Sequence, residues 1–134
     1  MNVLKRETQP LKNSSDVVLA RQKVRQWAIE LRFSLVDQTK LVTAASELAR
    51  NALDHGQGGA MSVEVVSTGT KNGLRLIFED QGPGIPDIQL ALKDGYTSGS
   101  GMGLGLGGSK RLVNEFDIQS EVGSGTRVTV IRWK

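Results

Sequence analysis

Glu47 and Asn51 stand four residues apart in the segment SELARN, so on a helix their side chains leave from the same face. A carboxylate placed there can take a proton from an attacking hydroxyl. The amide oxygen beside it can hold a hydrated Mg2+, a cation that prefers oxygen donors and keeps several of its waters. An isolated pair at this spacing also fits a plain solvated face. A second group centres on Asp80, which ends a β-rich run and is followed by Gly82, Pro83 and Gly84. Such residues make ordinary turns, yet two glycines also let a flat ligand approach the backbone. A carboxylate beside them can accept a hydrogen bond from an exocyclic amine such as that of adenine. The third group is the run Gly99 to Gly108, GSGMGLGLGG, with six glycines in ten residues. Bare amides can cradle an anion, and a helix starting at the end of the run would add its unpaired N–H groups and dipole. A flexible linker would have a similar composition.

Two familiar phosphate motifs do not account for this run. Gly103, Gly105 and Gly108 fit G-x-G-x-x-G, but KDGYTSGSGM ahead of them is no strand, as that fingerprint requires. Gly103 to Gly108 also imitates a Walker A loop, but Ser109 then Lys110 reverses the required order.

The surrounding pattern predicts the elements that would position these groups. Val3 to Thr8 reads as a short edge strand, and the stretch through Pro10, Lys12 and Asn13 as a loop. From an N-cap at Ser15, Val17, Ala20, Val24, Trp27, Ala28 and Leu31 recur at helical spacing. A second helix starts near Ser34, with Asp37 three residues on in the manner of a capping box. It runs through Leu41, Ala45, Leu48 and Ala52 and stops at His55 and Gly56. Met61 to Val66 and Leu74 to Phe78 form a hairpin around TGTKNG, and Asp87 to Leu92 a short helix. Leu106 to Phe116 reads as helical, and Ile118 to Val122 with Thr126 to Trp133 as strands around GSG. Helices first and hairpins after predict an α+β two-layer sandwich, with helices on one face of a mixed, mainly antiparallel sheet.

At 134 residues the chain is expected to be one domain, 1–134, with one site. Its net charge of +3 is scattered rather than massed, and only 4% of residues are aromatic, which argues against a nucleic-acid partner. The absence of cysteine excludes disulfides, and a single histidine argues against zinc. MNVLKRETQP lacks the apolar core of a secretory signal, and no stretch approaches the ~18 apolar residues that span a bilayer. The expectation is a cytoplasmic protein with no membrane partner.

Taken in order, Glu47-x-x-x-Asn51, Asp80-x-Gly82-x-Gly84 and Gly101-x-Gly103-Leu104-Gly105-Leu106 resemble the nucleotide-binding motifs of one family. It comprises gyrase, Hsp90-type chaperones, histidine kinases and the mismatch-repair ATPases. The resemblance runs from about Asp16 onwards, with GSGT at Gly123 to Thr126 matching a last small motif. SELARN, EDQGPGIPD and GLGLGGSKRL look most like the small bacterial serine/threonine kinases of stressosome and anti-sigma-factor pathways.

That resemblance implies the Bergerat ATP-binding fold, ATP and Mg2+ as cofactors, and a role for each motif residue. Asn51 would hold Mg2+, Asp80 the adenine amine, and Gly82 and Gly84 the shape of the base pocket. Gly101, Gly103 and Gly105 would meet the phosphates, with Met102, Leu104 and Leu106 between and beyond them. Residues Asp87 to Met102 would form a lid, and Thr126 would lie near adenine through water. Glu47 would be the general base. The implied activity is phosphorylation of a Ser or Thr on a STAS-domain antagonist, with a PP2C-type phosphatase or a sigma factor as further partners. The acceptor must come in trans, because the only histidine, His55, ends the helix that carries Glu47 rather than standing on a dimerisation helix. The alternative is an anti-sigma factor or nucleotide-gated binding module with little catalysis. Arg50 reads as a surface arginine, with contact to the γ-phosphate or an acidic partner as the other reading. Trp27 reads as core, and Trp133 as either core or partner contact.

Overall fold

The computed structural model describes residues 1–93 and 105–134. Strand β1 (Asn2–Leu11) is followed by helices α1 (Ser14–Glu30) and α2 (Leu35–Asp54), then by the hairpin β2 (Gly59–Ser67) and β3 (Asn72–Asp80). Two short helices, α3 (Ile88–Ala91) and α4 (Gly105–Lys110), precede a second hairpin, β4 (Glu115–Glu121) and β5 (Gly125–Trp133). The five strands lie in the order β1-β2-β3-β5-β4, with every pairing antiparallel. Among the described residues the sheet is therefore purely antiparallel, not mixed.

Strand alternation sorts residues to the two faces. Met61 pairs with Phe78, Val63 with Leu76 and Val65 with Leu74, while Phe78 and Leu76 pair on their other side with Val128 and Val130. These residues meet the buried sides of α1 and α2 in one core. α1 contributes Val17, Ala20, Val24, Trp27 and Ala28 to it, as the periodicity predicts. Lys5 lies over the Trp27 ring, 4.2 Å from its centre. α2 contributes Leu41, Leu48 and the small residues Ala45, Ala49 and Ala52, which let the helix lie close to the sheet. The opposite face buries Glu64, ion-paired with Arg75 and, at 3.5 Å, with Arg6. A charge so deep is tolerated because it is paired. Among the described residues no helix is long and apolar enough to cross a membrane.

Several boundaries differ from the expectation. β1 continues through Pro10 to Leu11, because Gln9, Pro10 and Leu11 pair with Met61, Ala60 and Gly59. Proline is acceptable here because β1 is an edge strand. Asn13, not Ser15, caps α1, its side chain accepting from the Asp16 amide at 3.0 Å. Ser34 caps α2 as expected, accepting from the Asp37 amide at 3.1 Å. The helix expected over Leu106 to Phe116 stops at Lys110. Phe116 is instead paired with Val130, and Asn114 anchors the strand start through the Ile131 carbonyl and the Trp133 amide. Leu112, Val113 and Phe116 suit one side of a helix, but the edge of β5 offered the backbone better partners.

Arg132 ties these layers together. Its guanidinium donates to the Asp37 carboxylate at 2.6 Å and to the Leu112 carbonyl at 3.1 Å, linking the first turn of α2 to the loop after α4. Arg132 thereby holds the Asp37 carboxyl below the usual aspartate value, its hydrogen bond outweighing the opposing effect of partial burial.

Candidate active site

Asp80 ends β3, the central strand of the sheet, and its carboxylate is held by backbone. Oδ1 accepts from the amides of Gly82 at 3.0 Å and Thr126 at 3.2 Å, the second reaching across from β5. This uses one oxygen and leaves lone pairs on the other for a ligand. Gly56 makes room for the carboxylate, since a Cβ there would lie 2.2 Å from Asp80 Cγ. Gly56 thus does more than end α2.

A cavity of about 930 Å³ opens beside Asp80. One wall is α2, which presents Glu47, Arg50, Asn51 and Asp54 at successive positions of one helix face. Leu48 and Ala52 from the same helix, with Phe78 and its strand partner Val128 from the sheet, give the cavity that holds Asp80 and Thr126 its apolar lining. The far rim is Pro83 to Asp87 with Leu90 and Ala91, and Gly105 and Leu106 open α4 at another side. Glu47, Asn51, Asp80, Gly84, Gly105, Leu106 and Thr126 therefore share one cavity. Gly82 supports it through its bond to Asp80 rather than as lining. Gly101, Met102, Gly103 and Leu104 lie outside the described residues, as does the part of the expected lid beyond Lys93. Within the described part of that segment, Asp87 caps α3 by accepting from the Leu90 amide at 3.0 Å.

Ser120 is a site residue that sequence reading did not single out. Its hydroxyl accepts from the Ile85 amide at 2.7 Å, donates to the Gly125 carbonyl at 3.2 Å, and lies 2.8 Å from Thr126 Oγ1. With its own proton on Gly125, it takes the Thr126 proton, so Thr126 offers lone pairs to the cavity. The rim is also sewn to the turn between β4 and β5 by Gly123, whose amide donates to the Pro83 carbonyl at 2.8 Å. Gly84 (φ +81) passes so close to this hairpin that a Cβ would lie 2.3 Å from the Glu121 carbonyl oxygen. A Ser inside an otherwise polar-alternating strand carries no signal of such a role. Ser120→Ala is expected to cost about 1 kcal/mol in urea unfolding, because the partly buried Ile85 amide loses its acceptor.

Arg50 is exposed, as the sequence suggests, yet it also lines the cavity. His55 caps the end of α2 as expected and borders the same space. Trp27 is core, 4% exposed, whereas Trp133 is half-buried, with Lys71 over its ring and its indole N–H donated to Glu115.

An antiparallel sheet backed by two long helices, with a strand-end carboxylate in a cavity that has apolar lining and a polar helix wall, defines a nucleotide-binding α+β protein. The chain belongs to the histidine kinase-, DNA gyrase B-, and HSP90-like ATPase family, whose model matches residues 36–134. Its nucleotide is therefore ATP. It is 48% identical over 118 residues to the serine/threonine-protein kinase RsbT of Bacillus subtilis, covering 88% of this chain and 89% of that one. It is 30% identical over 124 residues to the anti-sigma F factor of Clostridium kluyveri, covering 88% and 86% respectively. Among solved structures, the RsbU and RsbW domains of Rv1364c from Mycobacterium tuberculosis superpose with a TM-score of 0.66 at 20% identity, over 97% of this chain and 33% of that chain. The mycobacterial sensor histidine kinase MprB gives 0.57 at 18% identity, over 96% and 97%. At these identities the two structures speak for the fold alone.

Proposed function

We propose that residues 1–134 act as one catalytic unit that phosphorylates a Ser or Thr of a STAS-domain regulatory partner in a bacterial partner-switching pathway, in the cytoplasm. The chain is an ATP-dependent serine/threonine protein kinase. The observation that carries the reading is the shared wall of α2, where a carboxylate, Glu47, and a metal-compatible amide, Asn51, face one cavity with Asp80.

The donor set suits a hard cation. Asn51 offers an amide oxygen, and the carboxylates of Glu47 and Asp54 lie on the same helix face. Asn51 would hold Mg2+, which neutralises phosphate charge when bound. Asp80 accepts from the adenine amine, Thr126 meets the base through water, and Gly82 and Gly84 keep the rim close to the ring. By the family resemblance, Gly101, Gly103 and Gly105 would supply amides to the phosphates, with Met102, Leu104 and Leu106 in the same run. Glu47 takes the proton of the acceptor hydroxyl as its oxygen bonds to the γ-phosphorus, while the bond to the ADP oxygen breaks. A PP2C-type phosphatase or a sigma factor would be a further partner in such a switch.

Incubation with Mg-ATP and isolated STAS domains, followed by mass spectrometry, tests this. Phosphoserine or phosphothreonine on the STAS domain is the expected result. Nucleotide binding with no phosphorylated hydroxyl on any such domain would overturn the substrate assignment. Similarity to anti-sigma F factors supports a second reading, a nucleotide-gated binder of sigma factor. Tight retention of a sigma factor without phosphoryl transfer to any partner would favour it.

A further inference from the structure

We propose that Arg50 is the cation that recognises the γ-phosphate, so that this site distinguishes ATP from ADP through α2 itself. The inference rests on the ATP-dependent kinase reading above. Four carboxylates line the cavity among the described residues: Glu47, Asp54, Asp80 and Asp87. A polyphosphate entering such a lining meets repulsion unless positive charge stands near its terminal group. Arg50 is the one arginine or lysine among the described lining residues. It follows Glu47 by three residues and directly precedes Asn51, so its guanidinium shares the helix face that carries the proposed base and metal ligand. Asp80, by contrast, ends the strand whose Phe78, paired with Val128, gives the cavity apolar lining, which suits a base rather than a phosphate. Arg50 stands instead on the helix face that also carries Glu47, Asn51 and Asp54.

Among the described residues no carboxylate lies within ion-pair distance of Arg50. Its donors are uncommitted to the fold, and a planar guanidinium matches two phosphate oxygens at once. The same contact serves the transfer. As the acceptor oxygen bonds to the γ-phosphorus, its proton passes to Glu47 and the breaking bond leaves its electron pair on the ADP oxygen. Arg50 stays on the equatorial oxygens throughout. An arginine reserved for the protein acceptor would instead leave nucleotide preference untouched.

Calorimetric titration of wild type, Arg50→Gln and Arg50→Lys with Mg-ATP and Mg-ADP separates these cases. Arg50→Gln is expected to lower ATP affinity about tenfold or more with ADP affinity unchanged, and to lower kcat by about 100-fold. Arg50→Lys should recover part of the ATP preference, since charge returns without the two-pronged geometry. Equal loss of both nucleotides, or a raised KM for the protein acceptor with the ATP to ADP ratio intact, would overturn the assignment. Failure of the wild type to bind either nucleotide would instead overturn the kinase reading on which it rests.

Discussion

Asp80→Asn is expected to lower adenine-nucleotide affinity by at least about 100-fold while leaving the protein folded. The carboxylate has two separable jobs. Oδ1 accepts from the Gly82 and Thr126 amides, which joins the ends of β3 and β5, and an asparagine carbonyl can keep both bonds. The second position then changes from acceptor to donor. Facing the amine of adenine, an amide N–H₂ meets another donor, and a site built to pair a ligand group rejects it strongly when the partner is lost. Calorimetry with Mg-ADP measures the affinity, and a melting curve within a few degrees of wild type shows that the two backbone bonds persist. Mg-ADP binding within a few-fold of wild type would show that adenine is recognised elsewhere. Asp80→Ala is the weaker test, because it also strips the two amides of their acceptor.

Glu47→Gln is the complementary case, with nucleotide affinity kept within a few-fold and phosphoryl transfer slowed by about 10²–10⁴. Glutamine preserves the volume and helix propensity of the side chain, so Arg50, Asn51 and Asp54 remain on the cavity wall. What disappears is the ability to take a proton. The loss should fall on kcat rather than on the KM for ATP, since the proton moves only during transfer. Single-turnover transfer of labelled phosphate to the acceptor measures it. In phosphoryl transfer positioning and charge neutralisation carry much of the rate, which sets the lower end of the range. An unchanged rate would remove Glu47 as base and leave α2 with a binding role only. Together the two variants divide the cavity into a binding half and a reacting half, which a purely structural role for either residue cannot reproduce.

Local physics made much of this legible. The helical recurrence of Val17, Ala20, Val24, Trp27 and Ala28 placed the buried side of α1, and Ser34 with Asp37 marked the start of α2. Where local signals were evenly matched, pairing decided. Phe116 suits a helix by spacing, but its backbone gains a ladder with Val130, and Pro10 is acceptable in a strand only because that strand is an edge. Ser120 and Gly56 gave no sign of their roles. A serine's partners at Ile85 and Gly125, or the 2.2 Å clearance that Gly56 leaves for Asp80, exist only once distant segments meet.

The sequence by itself determined which residues could do the chemistry and that the side chains of Glu47 and Asn51 leave one side of their helix, because a helix repeats every few residues whatever surrounds it. The tertiary structure decided that Asp80 and Thr126 meet, that Arg50 borders the cavity rather than open solvent alone, and that the five described strands pair antiparallel. These depend on strand order and register, which are settled by the packing of β3 between β2 and β5 under two helices. No window of neighbouring residues contains that information.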